Sequence, residues 1–173
     1  MDTVLVTSKR SSDCFAAIKY PIFLSLGKGA VMQASRIYSA VSREFVARGF
    51  ACLAEFSLKT NRRPDMACLG KDGTIILIEI KSSAIDFKTD QKWQDYCEWA
   101  DSFYFAVGDD FPLEILPGPT DCGIIITDGF DCHIVREAPV KKLAGARRNH
   151  LIRRLARASM LRLHHRLEEE GAQ

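Results

Sequence analysis

The stretch that decides the fold is residues 62–83, RRPDMACLGKDGTIILIEIKSS. Most of residues 74–81, TIILIEIK, has the continuous apolar character of a buried central strand. The same strand nevertheless carries Glu79 and Lys81, and Asp65 lies a short way upstream. A buried charge is costly unless it is paired or coordinated. The stretch therefore predicts a sheet built around a polar site.

The segments on either side predict the elements that surround this strand. In chain order they are a helix from Ala34 that stops at Gly49, strands at 51–58, 65–70 and 74–81, a helix at 88–100, a strand at 102–107, strands at 123–127 and 130–135, and a long C-terminal helix. Three meandering strands followed by a crossover helix are typical of a mixed sheet with helices on its faces. The predicted fold class is therefore mixed α/β, with an αβββαβ core followed by a hairpin and a long helix.

Length and composition indicate one globular domain. With 173 residues, 47% of them hydrophobic, the chain is long enough to bury a core. We expect the domain over residues 31–168, an N-terminal arm over 1–30 and a C-terminal tail over 169–173. No apolar run approaches the roughly 20 residues that a membrane helix needs, and no signal peptide is visible. The six cysteines lack a CxxC pair. We therefore expect free thiols in a reducing cytoplasm and no membrane association.

Side-chain alternation brings the three charged residues together. Glu79 and Lys81 lie two residues apart, so they share one face of the strand at a spacing of roughly 6–7 Å. The KDG turn at 71–73 folds Asp65 back toward them. A divalent cation relieves the repulsion between two carboxylates, and Mg²⁺ prefers such oxygen ligands. The alternative interpretation is a simple salt bridge on an edge strand, which would contribute little to stability.

Two motifs in these segments resemble known proteins. Pro-Asp at 64–65 followed by Glu-Ile-Lys at 79–81 resembles the PD-(D/E)XK nuclease signature. Over residues 34–163 the chain also resembles the MmcB family of bacterial DNA-repair proteins, through AEFSL, RRPD, IEIKSS, DFKTDQKWQDY, FYFAV and the arginine-rich C-terminal part. The resemblance implies a restriction-endonuclease-like fold and a metal-dependent DNA endonuclease that acts in bacterial DNA repair or damage tolerance.

The resemblance also implies roles for individual residues. Asp65 and Glu79 would be ligands of Mg²⁺ or Mn²⁺, Lys81 would be the catalytic lysine, and the backbone carbonyl of Ile80 would be a further ligand. Many members of the superfamily carry an extra upstream acid, for which Glu55 is preferred here.

The other candidate for the upstream acid is Glu44, on the first helix. Related resolvases place an acid near the start of that helix, where this chain has Tyr38. That departure leaves the number of metal ions open.

The distribution of basic residues predicts that the chain binds nucleic acid. Residues 141–166 contain nine Lys or Arg and no Asp or Glu, which favours contact with nucleic-acid phosphates over an ordinary solvated helix face. The predicted DNA-binding residues are Arg62, Arg63, Lys88, Lys92, Arg147, Arg148, Arg153 and Arg154. Trp93 and Tyr96 could stack on bases, but their helical spacing favours the core.

These observations support three classes of function. The leading hypothesis is a metal-dependent DNA endonuclease in the bacterial cytoplasm, associated with the nucleoid when it acts. The second is a non-catalytic DNA-binding or scaffold protein on the same fold. The third is a subunit that needs a partner nuclease or helicase. A homodimer and repair-protein partners are further expectations.

Overall fold

The computed structural model describes residues 32–90 and 92–171, and the predicted N-terminal arm lies outside this part. Over the described residues the chain forms six strands, four α-helices and a 3₁₀ turn at Leu113–Ile115. The elements are α1 (Ala34–Ala47), β1 (Ala51–Ala54), β2 (Met66–Leu69), β3 (Ile75–Lys81), α2 (Ala84–Thr89), α3 (Gln94–Cys97), β4 (Ser102–Gly108), β5 (Gly123–Thr127), β6 (Cys132–Arg136) and α4 (Gly145–Gly171).

The six strands form one open mixed sheet whose spatial order follows the chain, β1-β2-β3-β4-β5-β6. The first three strands are an antiparallel meander. β3, β4 and β5 run parallel, and β6 returns antiparallel to β5. The parallel step from β3 to β4 requires a crossover, which α2 and α3 supply. The predicted mixed α/β class is confirmed, and the sheet is consistent with a restriction-endonuclease-like fold.

Helices cover both faces of the sheet, and alternation along β3 decides which residues each face receives. On one face, α1 packs its apolar stripe against the even-numbered residues of β3; this core comprises Ile37, Val41, Phe45, Ile76, Ile78 and Ile80 among others. On the opposite face, the odd-numbered residues meet α3, α4 and the aromatic residues of β4; this core includes Ile75, Leu77, Tyr96, Phe103, Phe105, Leu151 and Leu155.

The prediction of one helix over residues 88–100 was wrong. Two short helices occupy this region, because α2 begins earlier, where the Ser83 hydroxyl accepts the Asp86 N–H, and ends at Thr89. Asp90 then adopts an extended conformation, and its carboxylate accepts hydrogen bonds from the Lys81 ammonium on β3 and from the N–H of Lys92. A tertiary contact therefore breaks the helix that local propensity favours.

The aromatic residues of the α2–α3 region are part of the core. Trp93 stacks on Phe103 with ring centroids 6.0 Å apart, and Tyr96 stacks on the same ring at 5.8 Å. Tyr96 is 6% exposed. The interpretation of these residues as core is confirmed.

The first predicted strand, 51–58, is twice as long as the observed strand β1. β1 ends at Ala54 because Glu55 has a φ of 47°, which a strand does not accommodate. The chain turns there, and Phe56 and Leu58 enter the core on the α4 side of the sheet. Two arginines of α4, Arg154 and Arg162, donate to backbone carbonyls in this turn.

Helix α4 is attached to the sheet by a buried carboxylate. Asp101, which precedes β4 and is 3% exposed, accepts the N–H groups of Ile75 and Leu143 at 2.8 and 2.9 Å. The guanidinium of Arg148 donates to both of its oxygens at 2.7 Å and to the carbonyl of Gly73. Burial opposes ionisation, but these donors outweigh it and hold the pKa of Asp101 below its ordinary value.

The predicted long C-terminal helix is confirmed as α4, and its Leu151 and Leu155 side chains are buried. The helix continues through Gly171, beyond the expected start of the tail at residue 169. None of the described helices has the length and apolar character needed to cross a membrane.

Candidate active site

The candidate site lies at the end of β3. Glu79 and Lys81 follow Ile75 and Leu77 on the face covered by α3 and α4, and they are 7% and 4% exposed. The parallel neighbour β4 places Phe105 beside Glu79, so an apolar wall borders the two charges. As predicted, this central strand buries an acid and a lysine on the same face.

Asp65 is joined to the same strand by its side chain. It lies immediately before β2, and the pairing of Met66 with Ile78 brings it next to the segment 79–80. Its Oδ2 atom accepts the N–H of Ile80 at 2.7 Å. Burial raises the pKa of Asp65 above its ordinary value, although the Ile80 hydrogen bond and the charge of Lys81 partly offset that effect. The structure thus brings Asp65 to the site.

Lys81 is held between two carboxylates. Its Nζ atom donates to Asp90 Oδ2 at 2.7 Å and to Glu79 Oε1 at 3.4 Å. Burial disfavours the ammonium charge, but Asp90 and Glu79 outweigh burial and raise the pKa of Lys81 above its ordinary value. The lysine is therefore a cation over the physiological pH range, with its position set by Asp90.

Asp90 is the residue of this group that the sequence did not predict. Burial raises its pKa, but the hydrogen bonds from Lys81 and the Lys92 N–H, together with the charge of Lys81, outweigh burial, so the pKa lies below the ordinary value. The signal in the sequence is weak, because Asp90 lies nine residues after Lys81 within a segment that has helical character.

Glu79 is incompletely satisfied. Its Oε2 atom is buried and has no hydrogen-bond partner among the described residues. Burial and the nearby charges of Asp65 and Asp90 raise the pKa of Glu79 to about 8, although Lys81 acts in the opposite direction. A buried acid with one unpaired oxygen is a ligand position that a cation would satisfy.

The donor set fits a hard divalent cation. Asp65 and Glu79 supply carboxylates, and Mg²⁺ typically binds one or two carboxylates while it retains several waters. Within residues 32–90 and 92–171, no group of three or more His, Cys, Asp or Glu side chains is arranged to hold a metal ion. The site therefore suits a cation that keeps waters, and it does not suit a closed structural metal centre.

The two candidates for an extra acid lie outside this group. Glu44 accepts from Arg48 at 2.7 Å and belongs to α1, which covers the opposite face of the sheet from Glu79. The Glu55 side chain is 60% exposed and pairs with Arg63 at 3.2 Å, although the Glu55 N–H donates to the carbonyl of Asp65. Of the two, Glu55 is the nearer to Asp65, whose pKa its charge raises further.

The predicted DNA-binding residues divide into two groups. Near the site, Arg62 pairs with Asp95 at 2.7 Å, Arg63 pairs with Glu55, and Lys88 and Lys92 are exposed.

On α4, three of the four predicted arginines already bond within the domain. Arg147 donates to the Glu98 carbonyl and lies over the Trp99 ring, and Arg148 is bound to Asp101. Arg154 donates to the Ser57 carbonyl, whereas Arg153 is exposed. These contacts hold α4 on the sheet, a role that the pattern of basic residues alone did not predict.

The chain is similar to a known protein family and to a solved structure. The family described as "DNA repair protein MmcB-like" matches residues 27–170. The chain is 42% identical to the solved structure "SPO1766 protein of unknown function from Silicibacter pomeroyi", covering 81% of this chain and 95% of that one, with a TM-score of 0.75. No curated protein matches the sequence significantly.

Proposed function

Because this chain belongs to the MmcB-like family of DNA repair proteins, we propose that it is a metal-dependent endonuclease that hydrolyses phosphodiester bonds in DNA. The observation that carries the proposal is the buried group of Asp65, Glu79 and Lys81, in which Glu79 Oε2 lacks a partner among the described residues. The unpaired, buried oxygen of Glu79 destabilises the fold, since a buried polar atom without a hydrogen-bond partner costs about 1–3 kcal/mol. A site that binds a cation gains a ligand.

Each residue has a defined part in this proposal. Asp65 and Glu79 hold Mg²⁺ or Mn²⁺, and the carbonyl of Ile80 is a further ligand. When bound, such a cation lowers the pKa of a coordinated water and stabilises charge on a phosphate. Lys81, kept charged and oriented by Asp90, orients the attacking water and neutralises charge that develops on the phosphate.

The proposed DNA surface surrounds this group. Arg63, Lys88 and Lys92 are exposed near it, and Arg62 is partly exposed beside Asp95. Phosphate contacts of this kind position a duplex without reading its sequence. Contacts by Arg147, Arg148 and Arg154 are not required, because these arginines already bond within the domain.

The direct test is cleavage of supercoiled, single-stranded and branched DNA with Mg²⁺, Mn²⁺ or EDTA. We expect EDTA-sensitive cleavage by the wild type, and a loss of roughly 100-fold or more in Asp65→Asn and in Lys81→Met. Glu114→Gln, an exposed acid remote in sequence from the group, is the matched control and should cleave normally. Circular dichroism and thermal melting show whether each variant folds. Folded variants that cleave as the wild type does would refute the assignment.

A non-catalytic DNA-binding protein on the same fold is the second candidate. It is favoured by the finding that no third His, Cys, Asp or Glu joins the two carboxylates within the described part of the chain. Salt-dependent DNA binding that is unchanged in Asp65→Asn, without cleavage in any metal, would support it. Activity that appears only with a second repair protein would instead indicate a subunit of a larger nuclease.

A further inference from the structure

The C-terminal half of α4 is exposed along its whole length and contacts the domain through Arg162, which donates to the carbonyls of Ala54 and Glu55. Every residue from 159 to 171 is exposed, whereas Leu151 and Leu155 in the first half are buried. Most of the stability of helices in proteins comes from packing of an apolar face, so an exposed helical segment of this length is a candidate for packing against a partner. This segment, residues 159–171, is called the α4 extension below.

An apolar stripe runs along the outer side of α4. Ala156, Met160, Leu163 and Leu167 follow the alternating four- and three-residue spacing of a coiled-coil seam. Met160 is 70% exposed, Leu163 58% and Leu167 57%. These four residues are called the α4 stripe.

The stripe faces away from the domain. Leu151, Leu155 and Arg162 mark the side of the helix that contacts the sheet and the turn after β1. At about 100° per residue, the centre of the α4 stripe lies roughly 130° around the helix from that side. A partner helix can therefore lie along the stripe without displacing the contacts of α4 with its own domain.

We propose that the α4 stripe binds a second copy of this chain, with the two α4 helices antiparallel. The stripe is self-complementary in that arrangement, because it is symmetric about the point between residues 161 and 162. Met160 of one copy meets Leu163 of the other, and Ala156 meets Leu167, so a small residue faces a large one. Every contact occurs twice, as in an isologous two-fold interface.

Charge complementarity supports the second copy as the occupant. The same spacing continues beyond the stripe to Arg153 at one end and Glu170 at the other. In the antiparallel pair each Arg153 meets the second copy's Glu170. A parallel pair would instead place Arg153 beside Arg153 and Glu170 beside Glu170, which is unfavourable.

The acidic C-terminal end of α4 also supports a second copy of the chain as the occupant. Glu168, Glu169 and Glu170 lie in the last turn, where negative charge opposes the helix dipole, and no basic residue lies in that turn. The antiparallel second copy brings its basic first half, with Arg153 and Arg157, to this end. A nucleic acid on the stripe would meet an apolar surface that ends at Glu170, which disfavours it as the occupant.

The first test is the mass of the full chain in solution, by analytical ultracentrifugation over a range of concentrations. We expect a dimer that dissociates at least about 30-fold more readily in Leu163→Glu, because each substitution buries a charge in the seam. Val140→Glu is the matched control, since Val140 is 69% exposed outside the stripe. A wild type that stays monomeric up to about 1 mM, or a dimer that Leu163→Glu leaves intact, would overturn the proposal.

The second test fixes the direction of the helices. Arg153→Glu and Glu170→Arg should each weaken the dimer by about 3- to 10-fold, and the double variant should restore the wild-type affinity. A double variant that is as weak as the sum of the single changes would overturn the antiparallel arrangement. Circular dichroism of each variant confirms that α4 is retained. This proposal does not depend on the nuclease activity, so either can fail alone.

Discussion

Replacing Glu79 with glutamine should stabilise the protein at alkaline pH. The acid is 7% exposed, and burial and the charges of Asp65 and Asp90 raise its pKa to about 8 from an ordinary 4.5. A carboxyl whose folded-state pKa is raised binds its proton more tightly in the native state. Its contribution to stability is therefore fully present below pH 4.5 and is lost as the pH rises through 8.

The size of the effect follows from the shift. The pKa of Glu79 in the folded protein exceeds its ordinary value by about 3.5, and each pKa unit corresponds to about 1.4 kcal/mol. The resulting change in the free energy of unfolding is therefore at most about 5 kcal/mol. Relaxation of the site and entry of water reduce this value, so we expect about 2–4 kcal/mol. Glutamine does not titrate, and Lys81 remains charged over the same range, so the pH dependence of the difference between the two proteins reports the titration of Glu79.

The assay is urea unfolding followed by tryptophan fluorescence in EDTA, at pH 5.0, 6.5 and 8.5. The free energy of unfolding of Glu79→Gln relative to the wild type should rise by about 2–4 kcal/mol from pH 5.0 to 8.5. Glu114→Gln, an exposed acid, should show no such rise. Added Mg²⁺ should stabilise the wild type at pH 8.5 and leave Glu79→Gln unchanged. Parallel pH profiles for the wild type and Glu79→Gln would show that folding does not raise the pKa of Glu79.

Two further predictions concern the fold around the site. Asp101→Asn weakens the charged hydrogen bonds that attach α4 to the sheet and should lower the free energy of unfolding, measured by thermal melting, by about 2–4 kcal/mol. The control is Asp109→Asn, at an exposed position, which should have little effect in the same measurement. A melting temperature equal to that of the wild type would contradict this role. Gly123→Ala places a Cβ atom against the ring of Tyr104 and should cost about 1–3 kcal/mol or more, whereas Gly145→Ala meets no atom within 4 Å and should change stability by less than about 1 kcal/mol. Equal losses in the two glycine variants would show that the close approach is not the cause.

The central part of the fold could be predicted because its signals are local. The alternation along residues 74–81 and the turn at 71–73 set β2 and β3 without reference to distant residues. The same alternation placed Glu79 and Lys81 on one face, and the motif supplied Asp65. The structure brings these three together.

The sequence did not predict features that depend on contacts between residues far apart in the chain. Asp90 leaves the helical path because Lys81 binds its carboxylate, and no nearby residue signals that contact. The arginine-rich pattern of α4 did not reveal that Arg148 is bound to Asp101, 47 positions away in the chain, and the DNA contacts of these arginines stay a prediction. Composition alone cannot distinguish an arginine that supports the fold from one that binds phosphate.

The most direct test of the central claim is a crystal structure of the protein grown with Mn²⁺. The anomalous signal of manganese identifies the ion independently of waters. We expect a peak within about 2.2 Å of carboxylate oxygens of both Asp65 and Glu79, with the previously unpaired Oε2 of Glu79 now a ligand. A structure in which saturating Mn²⁺ leaves both carboxylates unligated would contradict this claim.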